Sequence, residues 1–455
     1  MKIRYTIFIL LTTISSSSFA QDSVAFKKIS DQILLHGNCY NDLRVLCKTI
    51  GHRIAGSAQA KMAVEWGEKV MEQTGADRVW LQPVDVPHWE RNYENLKLRF
   101  GKGRYHNVTM LSLGNSVGTD GKIIEAPVIM VNNFAELAAL PNETVRGKIV
   151  FFNYRFRQDF VNTFEGYGDA VKYRVWGPDA ASLKGAAAII IRSMSTGEDD
   201  WPHTGSTHYA DTIKPIPAVA IGNYSADTLA MKCKDGVVYA QLESTCKMQP
   251  AMVHSYNVIG EIKGSEYPDE IILVGGHLDS WDVGEGANDD GSGVVQSMEV
   301  LRTFKALGIK PKRTIRAVLF MNEENGLKGG LAYADSAKAN NEHHILAIET
   351  DAGSFSPRGI GLEMKESQKE QIRYFRNLFL PYGVYDFEHD EGGADISPLA
   401  RQKVPLAGLL PDPQRYFDIH HTNNDIFENV NHRELKLGAV ALTQLVYLVS
   451  EYGLR

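Results

Sequence analysis

Residues 271–293 read IILVGGHLDSWDVGEGANDDGSG. Ile271 to Val274 form an apolar run without polar alternation, the pattern of a strand buried on both faces. Gly275 and Gly276 end the run, His277 and Asp279 follow at once, and Asn288-Asp289-Asp290-Gly291 leads into a helix expected over Ser292–Leu307. In that helix Val294, Val295, Met298, Leu301 and Phe304 fall on one stripe. A buried strand, a charged loop and an amphipathic helix make the repeating unit of an α/β fold. The alternation continues downstream, with strand 315–321, helix 328–339, strand 345–350, helix 366–380, strand 404–409 and helix 434–452. It predicts a mostly parallel sheet covered by helices on both faces.

Upstream the texture differs. A helix is expected over 60–71 and a strand over 78–86; from about Asn92 to Met248 short strands (149–154, 187–191, 216–221) alternate with Gly-rich turns. Residues 21–92 and 249–455 therefore read as one α/β domain, interrupted by a mostly β insertion at 93–248. The first twenty residues read as a secretory leader: Lys2 and Arg4, an apolar run Ile7–Leu11, and a cut after Ala20. No later stretch reaches the ~20 apolar residues of a membrane span, so an exported chain without stable membrane association is expected. Its compartment is then periplasmic or extracellular.

The 455 residues are 44 % hydrophobic and 23 % charged, with a net charge of −7. That excludes a mostly disordered chain and argues against a nucleic-acid binder, which more often carries a basic excess. Among the four cysteines, sequence proximity favours Cys39–Cys47 and Cys233–Cys246 as disulfides in an oxidising compartment.

Ligands of α/β sheets bind outside the carboxyl ends of strands. Three successive strand ends here carry metal-type ligands: His277 and Asp279, then Glu323 and Glu324, then Glu349 and Asp351. Asp289 precedes the first helix, and His420-His421 sits in the last long loop. Singly, each has a plain explanation as a turn, a cap or a solvated loop. Together, three converging carboxylates and two imidazoles would repel unless cations neutralise them. Imidazole and carboxylate without thiolate suit two zinc ions, with manganese or cobalt as substitutes.

The strings GGHLDSWDVGEGANDDGSG, MNEENGLKGG, ETDAG and HHTNND resemble the co-catalytic di-zinc aminopeptidases, whose domain is shared with glutamate carboxypeptidases. PVDVPHWERN (83–92) and WPHTGSTHYADTIKPIPAVAI (201–221) are similar to one branch of that family. The resemblance implies a zinc aminopeptidase-like fold and reads the insertion as a protease-associated lid. It assigns His277 and Asp351 to one zinc, Glu324 and His421 to the other, and Asp289 to both. Asp279 would orient the His277 imidazole, and Glu323 would be the general base as a metal-bound hydroxide attacks the peptide carbonyl. His420, Asp395 (in a loop that lines the substrate site of relatives) and His203 become substrate contacts, a bland loop role being the alternative for His203. The implied activity is exopeptidase cleavage of short peptides, foremost dipeptides with free termini, and the implied assembly is a homodimer. Two alternatives stand beside it. One is an aminopeptidase acting on longer peptides. The other is a receptor-like binding protein, which would lack several of these ligands, all of which are present.

Overall fold

Ile272 and Val274 pack toward one face of their strand and Leu273 toward the other, and all three are fully buried. Alternate side chains point to opposite faces, so a strand apolar at every position needs cover on both. The computed structural model, which describes residues 20–455, supplies it. Helices Ala58–Gln73, Ser292–Ala306 and His432–Tyr452 pack on the Ile272 face, and helix Lys328–Ala339 packs on the Leu273 face. The expected leader lies outside the described residues except for Ala20, which is helical. The helical stretch 20–36 is tied to the last helix by Tyr447 and Tyr452, whose hydroxyls donate to Asp22 at 3.3 and 2.8 Å.

The sheet has seven strands. Its centre is parallel: Arg313–Phe320, Tyr267–His277, His343–Glu349 and Leu406–Pro411 lie side by side. Both margins are antiparallel, with Val253–Ile262 and Arg78–Val86 on one side and Pro357–Glu363 on the other. His277 pairs with Phe320 and Gly275 with Glu349, so the carboxyl ends of the central strands share one edge. The chain crosses to opposite sides of the Tyr267–His277 strand, which puts a crevice outside that edge.

Between Val86 and Val253 the chain leaves this sheet and builds a second one of eight strands. Trp89–Glu90 pairs with Lys247–Met248 at the neck. The second sheet departs from the mostly β expectation, because short helices such as Thr163–Ala170 and Gly177–Leu183 and the longer Asn223–Asp235 pack around it. The expected helix 366–380 is broken into Glu366–Arg373, Arg376–Phe379 and a 3-10 turn Leu380–Tyr382. Pro381 has no N–H to continue it, and Gly383 at φ +84° turns the chain away.

All four cysteines are free thiols. Cys246 belongs to a small core with Trp89 and Trp281, whereas Cys233 packs against a different core of the second sheet. Cys39 and Cys47 are each buried in the core of the first sheet. The pairings favoured by proximity therefore do not form.

The Trp89–Trp281 core joins the two sheets. A Cβ on Gly114 would lie 1.8 Å from the Trp281 ring, so only glycine fits beneath that indole. Gly114→Ala forces the ring out, at roughly 1–3 kcal/mol for an overpacked core position. The expected result is a lower urea midpoint and a shifted tryptophan emission. An unchanged midpoint would contradict this packing. No described helix is long and apolar enough to cross a membrane.

Candidate metal centre

His277 closes its strand and is completely buried. Its backbone N–H donates to Asp290 Oδ2 (3.0 Å), and Asp290 Oδ1 accepts from Gly293 N (2.8 Å), so Asp290 ties the strand end to the first turn of the next helix. Asp289, one residue earlier, faces the crevice. Its two oxygens look in opposite directions: Oδ1 lies 3.1 Å from His277 Nε2 and Oδ2 3.1 Å from His421 Nε2. Asp351 Oδ1 is 3.5 Å from His277 Nε2, and Glu324 Oε2 is 3.2 Å from His421 Nε2. The structure thus brings His277, Asp289, Glu324, Asp351 and His421 together, from four loops at one sheet edge.

Their supports come from the same loops. Glu324 Oε1 accepts from Trp281 N (3.1 Å). Asp279 does something other than the expected task. His277 Nδ1 is 3.1 Å from the backbone oxygen of Asp279 and 3.9 Å from its carboxylate. That carboxylate instead accepts from Asn322 N (2.6 Å) and Glu323 N (3.0 Å), which holds the turn presenting Glu323 and Glu324. Asn322 itself is left-handed at φ +75°. Asp425, given no role by sequence reasoning, accepts from Asn288 N (2.8 Å), Asn288 Nδ2 (3.1 Å) and Asp289 N (3.1 Å) and so fixes the Asp289 loop. Its signal was the acidic end of HHTNND.

Charge is crowded here. Burial raises the Glu323 carboxyl well above its ordinary range, and Asp351, Glu324 and Asp289 add to the rise. Glu324 goes up to about 7 by burial and the nearby Asp289. Burial opposes charge on His421 too, yet Glu324 and Asp289 push it up to about 10. Burial likewise works against ionised Asp289, but the His277 and His421 imidazoles beside it hold it well below the usual range.

Asp289 Oδ2 and Asp351 Oδ1 are among the buried oxygens that lack a hydrogen-bond partner. The triads His277–Asp289–Glu324, His277–Asp290–Asp351 and Asp289–His420–His421 each gather ligand atoms within 4.8 Å. Orphaned carboxylate oxygens, facing imidazoles and an excess of buried negative charge fit divalent cations, and a nitrogen–oxygen donor set without sulfur fits zinc.

The site opens into a cavity of about 1050 Å³ between the two sheets. Glu323, His420 and Tyr416 line it. His420 stacks on His421 at 3.5 Å between ring centres and meets the Tyr416 ring at 5.0 Å, tilted by 44°. Residues 159–167 of the second sheet's loops form the opposite wall together with Arg174. His203 and Asp395 are placed behind the lining rather than on it, 2 % and 1 % exposed. His203 packs under the His420-His421 loop, where burial and then His421 push its pKa down to about 3. Asp395 lies against Glu349, and its neighbours Gly393 and Ala394 reach the cavity in its place.

Arg174 was not singled out by sequence reasoning. It is buried, its Nε donates to Ser206 O (3.2 Å), and its guanidinium sits 5.4 Å over the Tyr167 ring. A Cβ on Gly205 would lie 2.4 Å from Arg174 Nη1 and 2.6 Å from His421 Nδ1, so guanidinium and imidazole rest against the same glycine. The other lining arginine, Arg358, is paired with Asp412 at 3.2 Å.

The sequence profile described as peptidase family M28 matches residues 257–446. Human carboxypeptidase Q is 35 % identical over 413 residues, 90 % of this chain and 85 % of that protein. The crystal structure of a peptidase M28 precursor from Shewanella amazonensis SB2B superposes with a TM-score of 0.91 at 33 % identity, covering 96 % of this chain and 99 % of that one. BSAP, a zinc aminopeptidase from Bacillus subtilis, shares the fold at a TM-score of 0.64 and 23 % identity, over 90 % and 94 % of the two chains. A metal-type donor set at the carboxyl edge of the sheet and relatives matched over nine-tenths of the length agree: the chain belongs to peptidase family M28 and is a metallopeptidase.

Proposed function

We propose that this chain is an exported di-zinc exopeptidase that hydrolyses short peptides, foremost dipeptides with both termini free. His277 and Asp351 hold one zinc, Glu324 and His421 the other, and Asp289 reaches both. When bound, the zinc ions supply Lewis acidity toward a water and toward the scissile carbonyl oxygen. Glu323, on the cavity wall, takes a proton from the attacking water and returns it to the leaving amine as the C–N bond breaks. The second sheet, a protease-associated-type insertion, acts as the lid that closes the cavity over the substrate.

The observation that carries the dipeptide reading is Arg174. It is a buried guanidinium on the lid, next to His421, facing a cavity whose other walls carry Glu323, Glu349, Asp351 and Glu391. Such a group pairs with a carboxylate. A peptide whose terminal carboxylate meets Arg174 while its scissile bond lies at the metals is a short one. The cavity's volume favours a second reading, an aminopeptidase that admits longer peptides.

Free, N-acetylated and C-amidated dipeptides, assayed with chelator and then zinc, separate the two. The expected result is chelator-sensitive, zinc-restored cleavage of free dipeptides only. Arg174→Gln is expected to raise KM for free dipeptides by about 10- to 100-fold, the value of a lost charged hydrogen bond. Equal turnover of amidated or longer peptides would instead establish the aminopeptidase.

A further inference from the structure

Two strings set apart in the sequence, PVDVPHWERN and WPHTGS, take no part in the reaction as described so far. The second reaches the back of His421 through Thr204, and the first reaches Thr204 through Arg91. We infer that Arg91 and Thr204 form a clamp that positions the His421 imidazole, so that the inserted sheet is a constituent of the metal centre as well as its cover. The inference rests on the reading of His421 as a zinc ligand.

His421 sits at φ +61°, in the left-handed region that a non-glycine residue adopts only when its surroundings over-determine it. Thr204 does so from two directions. Thr204 N donates to His421 O at 3.0 Å, and His421 Nδ1 donates to Thr204 O at 3.3 Å. With the Nδ1 proton spent on that carbonyl, the lone pair remains on Nε2, the nitrogen that faces Asp289 and Glu324.

Thr204 is in turn held from behind. Its hydroxyl donates to Ser112 O (2.8 Å) and accepts from Arg91 Nη2 (3.3 Å). Arg91 is buried and forked onto Asp282, Nε to Oδ2 at 2.9 Å and Nη2 to Oδ1 at 2.6 Å. Asp282 belongs to the loop that begins at His277. Its neighbour Trp281 meets the His421 ring edge-on at 5.7 Å, and the Trp281 backbone N–H donates to Glu324. The path Asp282–Arg91–Thr204–His421 therefore crosses from the peptidase sheet through the insertion and back, and it sets the orientation of a ligand on one side of Asp289. Arg91 and Thr204 are positioning residues, since neither touches the reacting atoms.

The test measures zinc affinity, by competition with a chromophoric chelator, on the full mature chain. Wild type is expected to hold two zinc ions. Arg91→Ala is expected to weaken one of them by roughly 10- to 100-fold, as removal of outer partners of metal-binding histidines does, and to leave the other. Thr204→Val should weaken the same ion to a smaller degree, whereas Thr204→Ser, which keeps the hydroxyl, should match wild type. A merely structural role would not discriminate valine from serine in this readout, or one ion from the other. If Arg91→Ala fails to fold, the Thr204 pair decides. Both ions held with wild-type affinity in the folded variants would overturn the clamp; fewer than two zinc ions in wild type would instead overturn the di-zinc reading beneath it.

Discussion

Asp289→Ala is expected to yield a folded chain whose peptide hydrolysis falls to the level of the buffer and whose tightly held zinc drops from the proposed two ions to at most one. Among the described residues Asp289 is the only carboxylate with one oxygen 3.1 Å from each of the two imidazoles, His277 and His421. Its removal takes away one of the anions that stabilise charge on the two imidazoles in the metal-free protein and, on the di-zinc reading, the counter-charge that both cations would share. The side chain is small and faces a cavity, so alanine opens no void in the apolar core. Its loop is held by Asp425 through backbone N–H groups that the substitution spares. Zinc content by mass spectrometry and turnover on a free dipeptide check the result. A variant that keeps two ions and its activity would show that the carboxylate is not shared. Asp289→Asn preserves the shape, and it is expected to fail in the same way because the amide brings no charge.

Glu323→Gln gives the second large effect, with an opposite signature in the metal. We expect kcat to fall by about 100- to 10,000-fold, the usual contribution of a positioned general base, with both zinc ions retained and KM changed little. Glu323 belongs to none of the three ligand triads, and its backbone bond to Asp279 survives the change. The glutamine is isosteric but accepts no proton from water at neutral pH. Loss of zinc in this variant would reassign Glu323 as a ligand. Near-normal kcat would move the proton-transfer task elsewhere. The two substitutions together separate metal binding from proton transfer, because one removes both and the other removes only the second.

The convergence at the sheet edge was legible because its members follow strand ends one by one. A buried apolar run, two glycines and then His277 is a local pattern, as are the Glu323-Glu324 and Glu349-Thr350-Asp351 exits. The parallel centre followed from the same alternation. The antiparallel margins did not, since the partner of Arg78–Val86 lies beyond the whole insertion, at Val253–Ile262. Short helices in the second sheet escaped notice because six or eight residues, as in Phe134–Ala139 and Thr163–Ala170, are too few for helical periodicity to show. Only their asparagine caps, Asn133 and Asn162, mark them. Cys233 and Cys246 illustrate a different limit: closeness in sequence says nothing of which core each thiol enters. Arg174 is a single residue brought beside His421 by tertiary structure, with no local pattern to betray it, whereas Arg91 and Thr204 stood in strings marked by resemblance but carried no role there. Asp279 was singled out, but periodicity does not distinguish an aspartate that holds a ring from one that holds the next loop.

The pairing of Arg78–Val86 with Val253–Ile262 also bears on how the molecule is made. The two strands are the arms of a single antiparallel hairpin, and residues 87–252 are its turn. During synthesis the first arm must wait while the entire second sheet emerges. Loop closure costs grow only logarithmically with length, so the delay is a matter of time more than of free energy. In the folded chain the ladder of Trp89–Glu90 with Lys247–Met248 holds the late arm beside the early one. The peptidase sheet is thus sequence-discontinuous: its Arg78–Val86 margin is closed only by a strand made after the whole second sheet, and the neck ladder holds the two crossings together.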